Sequence, residues 1–221
     1  MANDYFTQGV AAYQVGEFPE AAAGFEKSAR TQPAAGTFIN LGLAEWRRGH
    51  AGTAILAWEK ARWLNPFDRR AVENLKFARA VLQVDELQLK WFETASAWLP
   101  PNAWVWLADI SSWLGVGALV LPGIFRQRKT NWHRLVAAMT LGIFLFSLTA
   151  NYGVVSRAQI GLVVERNTPL RLTPTRDAET ISTLSAGEPA RKLRTRGNYY
   201  FIRTANESGW IENSAFGEIT K

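Results

Sequence analysis

His50 and His133 are the only histidines in this sequence, and histidine is the residue type most often used as a catalytic acid or base. Hydrolytic or transfer chemistry needs a base beside a nucleophile, or a bound metal. Neither histidine is spaced with Asp, Glu or another His as a metal triad requires. Cysteine is absent, which removes disulfides, thiolate metal sites and cysteine nucleophiles. No glycine-rich phosphate loop precedes a helix, since Gly115 and Gly117 lie inside an apolar run. The N-terminal carboxylates are expected on solvated helix faces, in pairs such as Glu26–Arg30 and Glu59–Arg62. The expectation is no enzyme, no metal and no cofactor. What remains is binding chemistry. Strand alternation would place Lys192, Arg194 and Arg196 on one face near Tyr199, Tyr200 and Phe201. That combination suits an anion- or glycan-binding groove, or lipid headgroups; the plainer alternative is a solvated face over core aromatics. Trp210 is expected as core or groove wall.

The elements that would carry these residues follow from charge and hydropathy. Residues 1–103 hold 11 Lys/Arg and 11 Asp/Glu, residues 104–156 hold 4 and 1, and residues 157–221 hold 10 and 7. Half of the basic excess therefore sits beside apolar runs rather than on a groove-reading element, which predicts a lipid bilayer and not nucleic acid as the partner. Residues 105–125 ("VWLADISSWLGVGALVLPGIF") would span about 31 Å as a helix, close to bilayer thickness. Residues 135–156 offer a second run of similar reach. Trp104, Trp106, Trp132 and Tyr152 lie at the ends of the runs, where aromatic rings favour the headgroup level. Between them, the loop 126–134 carries Arg126, Arg128, Lys129 and Arg134. Short basic loops stay cytoplasmic, so both termini are expected outside the cytoplasm. Export of residues 1–103 calls for a signal peptide, and Met1–Tyr13 has neither a basic n-region nor an apolar h-region. A removed or missed signal is the expectation. Asp109, four residues inside the first run, is expected at the membrane interface.

The N-terminal part repeats. Gly9 and Gly42, Gly16 and Gly49, Ala21 and Ala54, and Pro33 and Pro66 are each 33 residues apart. "FEKSARTQP" realigns on "WEKARWLNP", and Tyr5/Phe38, Tyr13/Trp46 and Phe25/Trp58 follow the same shift. A period of this size means stacked helix pairs. A further helix near residues 69–82 puts Ala71, Leu75, Ala78 and Leu82 on one face and would cap the stack. The ordered aromatic, Gly and Ala positions resemble the tetratricopeptide repeat; the Thr-Pro-Leu-His signature of ankyrin is missing. The resemblance implies a concave groove for extended peptides, lined by Phe6, Tyr13 and Gln14, then Ile39, Asn40, Trp46 and Arg47. Val10 and Leu43 would serve mainly as packing.

After Arg157 the pattern becomes short apolar or alternating segments separated by turn residues, as in Asn167-Thr168-Pro169 and Ser185-Ala186-Gly187-Glu188. Half a dozen strands in some 60 residues predict a small barrel. "PLRLTPT", "LSAGE", "NYYFIR" and "ESGWIE" in this order resemble the bacterial SH3 domain.

The expected fold class is therefore a multidomain membrane protein. It would comprise an all-α tetratricopeptide-like repeat over 1–95, a two-helix transmembrane hairpin over 104–156, and a small all-β SH3-like barrel over 158–221. This order resembles the BatE family of the bacterial aerotolerance cluster, most closely in "FINLGLAEWRRGHAGTAILAWEKARWLNPFDRRAVENLKFAR". The resemblance implies a two-pass protein of the bacterial inner membrane with periplasmic soluble parts. Its implied partners are membrane proteins with von Willebrand A domains and a MoxR-type ATPase. The expected function is a membrane-anchored scaffold. The alternative is a peptidoglycan-sensing or targeting protein acting through its C-terminal domain.

Overall fold

The computed structural model describes residues 2–86, 88–124 and 131–220. Among these, eight α-helices precede a seven-stranded antiparallel sheet. The chain divides into two compact units, residues 1–88 with 158–221, and residues 89–157.

In the first unit, α1 (Ala2–Gln14), α2 (Phe18–Thr31), α3 (Ala35–Arg47), α4 (Ala51–Leu64) and α5 (Arg69–Leu82) pack each against the next. The pair α1–α2 recurs as α3–α4 at a shift of 33 residues, and so do their tight turns. Gly16 (φ 86°) and Gly49 (φ 81°) end α1 and α3 in the left-handed region that a Cβ disfavours. Small residues let the helices approach. Ala21, Ala44, Ala54, Ala61, Ala71 and Ala78 are buried, and a Cβ added at Gly42 would overlap the Trp58 indole. Trp58, at 1% exposure, donates its Nε1–H to the Ile39 carbonyl at 3.2 Å. Glu59 is buried too, contrary to a solvated helix face. Its carboxylate pairs with Arg62 at 2.9 Å and with Arg79 of α5. A lone carboxylate there would be costly, and the second arginine ties α4 to α5.

Asp68 caps α5 by accepting the Arg70 backbone N–H at 3.0 Å. The Arg70 guanidinium at 2.8 Å holds the Asp68 carboxyl below its ordinary pKa. A carboxyl with a depressed folded-state pKa stabilises above its unfolded pKa and loses that effect as pH falls through the folded value. Asp68→Ala is therefore expected to cost about 1 kcal/mol near neutrality. In denaturant titrations the difference from the parent should shrink steadily in the acid range below the ordinary Asp pKa.

The sheet consists of β1 (Ile160–Val163), β2 (Thr168–Arg171), β3 (Thr180–Leu184), β4 (Pro189–Arg196), β5 (Tyr199–Arg203), β6 (Ser208–Glu212) and β7 (Phe216–Glu218). Its order is β3-β2-β6-β5-β4-β1-β7. This corrects the expected SH3-like barrel. Among the described residues the sheet is open, with β3 and β7 at its two edges and no ladder joining them. It curls enough for every strand to add a residue to one core of Val163, Leu170, Leu184, Ala190, Ile202, Ile211 and Phe216. Strand count and turn spacing, which predicted a barrel, do not specify whether the edges meet.

Nor does the sheet stand apart from the helices. Leu162 of β1 joins Ala54, Ile55, Trp58, Leu75 and Ala78 in one buried cluster. At Gly52 of α4 an added Cβ would overlap the Val164 carbonyl, and at Gly217 of β7 it would overlap Leu56. Helix α4 is thus packed on α3 and α5 and also on the sheet.

The second unit holds α6 (Trp91–Ser96), α7 (Pro101–Ile124) and α8 (Asn131–Arg157). Here too the expectation is corrected. The apolar helices form part of a three-helix unit in which α6 packs against α8, rather than a simple two-helix hairpin. Arg126, Arg128 and Lys129, assigned to the connecting loop, lie outside the described residues. The α7–α8 contact runs through small residues. Ser111, Thr140, Ser147 and Ala150 are buried, and a Cβ at Gly115 would come within 2.9 Å of the Thr140 hydroxyl. Thr140 and Ser147 donate to carbonyls one turn back, at 2.9 and 2.8 Å, so burial leaves these hydroxyls satisfied. Gly153 lets α6 come close, since a Cβ there would overlap the Phe92 carbonyl. Glu93 is fully buried, accepting the Lys90 N–H at 2.9 Å and the Ser156 hydroxyl at 2.5 Å. Trp104 donates to the Ser96 carbonyl at 3.0 Å. Most of the outward surface is apolar and exposed, including Val105, Trp106, Trp113, Leu121 and Leu145. With 24 and 27 residues, α7 and α8 are long and apolar enough to cross a membrane.

Candidate functional site

The expected helical groove is partly assembled. Tyr13, Gln14 and Asn40 line a hollow of about 200 Å³ between α1 and α3, with Val10, Phe25 and Leu43 as its apolar walls. Gln14 and Arg47 are exposed, and the Arg47 guanidinium lies 5.9 Å from the Phe18 ring centre. Tyr13 meets the same ring edge-on at 5.3 Å. The remaining expected residues serve the core. Ile39, at 2% exposure, packs with Ala61 and Ala71 and is removed from the groove. Half-buried Phe6 packs on Phe25 at 5.6 Å, and Trp46 is held between Trp58 at 5.9 Å and Phe77 at 5.6 Å. A helix position shows which residues share a face. Which side of that face the next helix covers is decided by packing.

The cationic strand face is also rearranged. A bulge at Leu193 breaks the alternation of β4: Lys192 pairs with Ile202, while Arg194 pairs with Phe201 and Arg196 with Tyr199. Directly opposed residues share a face, so Lys192 lies opposite to Arg194 and Arg196. Its ammonium instead contacts Glu218 at 2.7 Å and sits 4.9 Å from the Tyr200 ring centre. Tyr200 packs on the sheet core, meeting Phe216 at 5.9 Å. Lys192 and Tyr200 are therefore corrected out of the groove.

The same register brings in residues that alternation along β4 alone did not name. Arg191 pairs with Arg203, Phe201 with Trp210, and Trp210 with Arg171. One face thus carries Arg171, Arg191, Arg194, Arg196 and Arg203 with Tyr199, Phe201 and Trp210. Glu212, opposite Tyr199, is the acid paired into this face. Phe201 and Trp210 form a tilted ring pair at 5.2 Å, while Arg194, Arg196 and Arg203 are exposed. Planar guanidinium groups beside aromatic rings suit carboxylate or phosphate groups on a sugar or peptide backbone. Arg203 could have been found from its parity with Tyr199 and Phe201. Arg171 needed the β2–β6 register.

A third concavity, of about 640 Å³, had no signal in the sequence. Phe38, Leu41, Leu56, Trp63 and Ile219 wall it, and half-buried Lys60 lies among them. Burial pushes the Lys60 amine below its ordinary pKa, while Glu26 and Glu218 pull it back up. Among the described residues no group of three or more His, Cys, Asp or Glu is placed to hold a metal ion. No protein-family model matches the chain, and no curated protein matches it significantly.

Proposed function

We propose that the chain is a membrane-anchored adaptor whose helical repeats hold a partner protein. The observation that carries this reading is the hollow between α1 and α3, where exposed Gln14 stands beside Tyr13 and Asn40 over an apolar floor. That mixture suits an extended peptide, with polar groups for its backbone and apolar surface for a side chain. The test is co-purification of the full chain in detergent with a von Willebrand A-domain membrane protein of the same aerotolerance cluster. Tyr13→Ala with Arg47→Glu should weaken capture at least roughly tenfold, or about 1.4 kcal/mol. Undiminished capture by that variant would remove the groove from the reading.

The same proposal makes the protein a BatE-like, two-pass protein of the bacterial inner membrane with both soluble ends periplasmic. Two helices of sufficient length and apolarity support the crossing, and the basic stretch 126–134 supports the orientation. A periplasm-dependent phosphatase joined after Lys221 should be active. Changing Arg126, Arg128, Lys129 and Arg134 to Gln should lower that activity severalfold by mixing orientations. An inactive reporter on the parent chain would invert the assigned topology.

A second reading, attachment to peptidoglycan, is favoured by the five-arginine sheet face with its Phe201–Trp210 pair.

A further inference from the structure

The unit formed by residues 89–157 contains two carboxylates, Glu93 and Asp109, and treats them in opposite ways. Glu93 is fully buried and bonded to the Lys90 N–H and the Ser156 hydroxyl. Asp109 is exposed and, among the described residues, makes no hydrogen bond or ion pair. It is the only charged residue in 105–125.

Its direction is as informative as its charge. Helix α7 meets α8 through Trp104 against Phe146, buried Ser111, and Gly115 against Thr140. At 100° per residue, Asp109 points about 140° away from Trp104, 160° from Ser111 and 120° from Gly115. It therefore lies on the face of α7 that α8 leaves open. Exposed Ser112 is one turn on, flanked by exposed Trp106, Trp113 and Val116. Asp109 is five residues, about 7.5 Å, deeper along the helix than Trp104 and about 22 Å from the Ile124 end. On this open face, and further along the helix than the interface position expected from the sequence, an ionisable group turned to hydrocarbon is costly alone and is relieved by a counter-charge.

We propose that Asp109 is the docking point for a transmembrane helix of another protein that carries a lysine or arginine at the same depth. This rests on the reading of α7 and α8 as membrane-crossing helices. A second copy of the chain does not fit, because 105–125 and 135–156 contain no Lys or Arg. Two copies would bring acid to acid. The open face instead offers a carboxylate, a hydroxyl one turn away, and aromatic walls for the aliphatic stem of a basic side chain.

The test uses the full chain in phosphatidylcholine vesicles. Because the chain has no cysteine, Asn131→Cys at the exposed start of α8 takes a single donor fluorophore. The probe is an acceptor-labelled leucine-alanine transmembrane peptide with one Lys about 22 Å from its labelled end. The control peptide has Leu at that place. Energy transfer should saturate at a roughly tenfold lower peptide-to-lipid ratio for the Lys peptide, equivalent to about 1.4 kcal/mol. Asp109→Leu should abolish this preference, and Asp109→Asn should reduce it. Equal transfer from both peptides, or a preference that survives Asp109→Leu, overturns the assignment. So does Asp109-dependent transfer between donor- and acceptor-labelled copies of the chain. Flotation with the vesicles separates the two readings: a chain that does not float sinks the membrane reading itself, and one that floats without Lys preference sinks only the docking point.

Discussion

Trp58→Ala is expected to destabilise the protein by about 4 kcal/mol and to loosen its sheet as well as its helices. The side chain is 1% exposed and sits flush against Gly42, so truncation leaves a cavity that the close α3–α4 contact cannot readily fill. The bond from the indole N–H to the Ile39 carbonyl would be lost, while that carbonyl keeps its place in the α3 ladder. Contact with Trp46 at 5.9 Å would go too. The wider consequence comes from Leu162, the β1 residue that shares the Trp58 cluster with Ile55, Leu75 and Ala78. If helices and sheet are one cooperative unit, loss of Trp58 should lower hydrogen-exchange protection at Ile202 and Ile211 in parallel with the amides of α4. Helix amides that lose protection while those of β5 and β6 keep it would show that the sheet is stable without α4. Trp58→Phe, which fills most of the volume and loses the donor, should cost about 2 kcal/mol.

Reversing two charges on the sheet face should have the largest effect on the second functional reading. Arg194→Glu with Arg203→Glu leaves Arg171, Arg191 and Arg196 and places two carboxylates beside the Phe201–Trp210 pair. If the face holds anionic groups of peptidoglycan, sedimentation of the full chain with purified sacculi should fall roughly 30-fold, equivalent to about 2 kcal/mol. The parent's binding should weaken as salt rises and the screening length shortens below about 10 Å. Lys192→Glu makes a sharp comparison. Its residue lies on the other face, against Glu218 and Tyr200, so the change should disturb the β4–β7 contact and leave sedimentation of folded protein unchanged. Equal losses from both variants would mean that net charge, not this face, governs the binding.

The difference between Lys192 and Arg194 illustrates how much of the molecule could be read along the chain. Strand β4 was visible as an alternating segment, and its cations were visible as a group. The bulge at Leu193 was not, because it arises from pairing with β5 and leaves no mark within β4. Ile39 and Glu59 repeat the lesson in helices. Both lie in the repeated pairs whose 33-residue shift was evident from glycines, alanines and aromatics. Yet Ile39 became core instead of groove, and Glu59 became a buried partner of Arg62 and Arg79 instead of a solvated acid.

By itself the sequence determined the helix pairs and their repeat, the alternating C-terminal segments, and two apolar stretches long enough to cross a bilayer. These depend on local periodicity, glycine turns and side-chain transfer free energies, all set by neighbours within a few residues. Only the tertiary structure decided that the sheet stays open and docks on α4, that α6 joins the apolar helices, and that five arginines share one face. Those outcomes depend on which distant surfaces exclude water together, and chain periodicity carries no information about that.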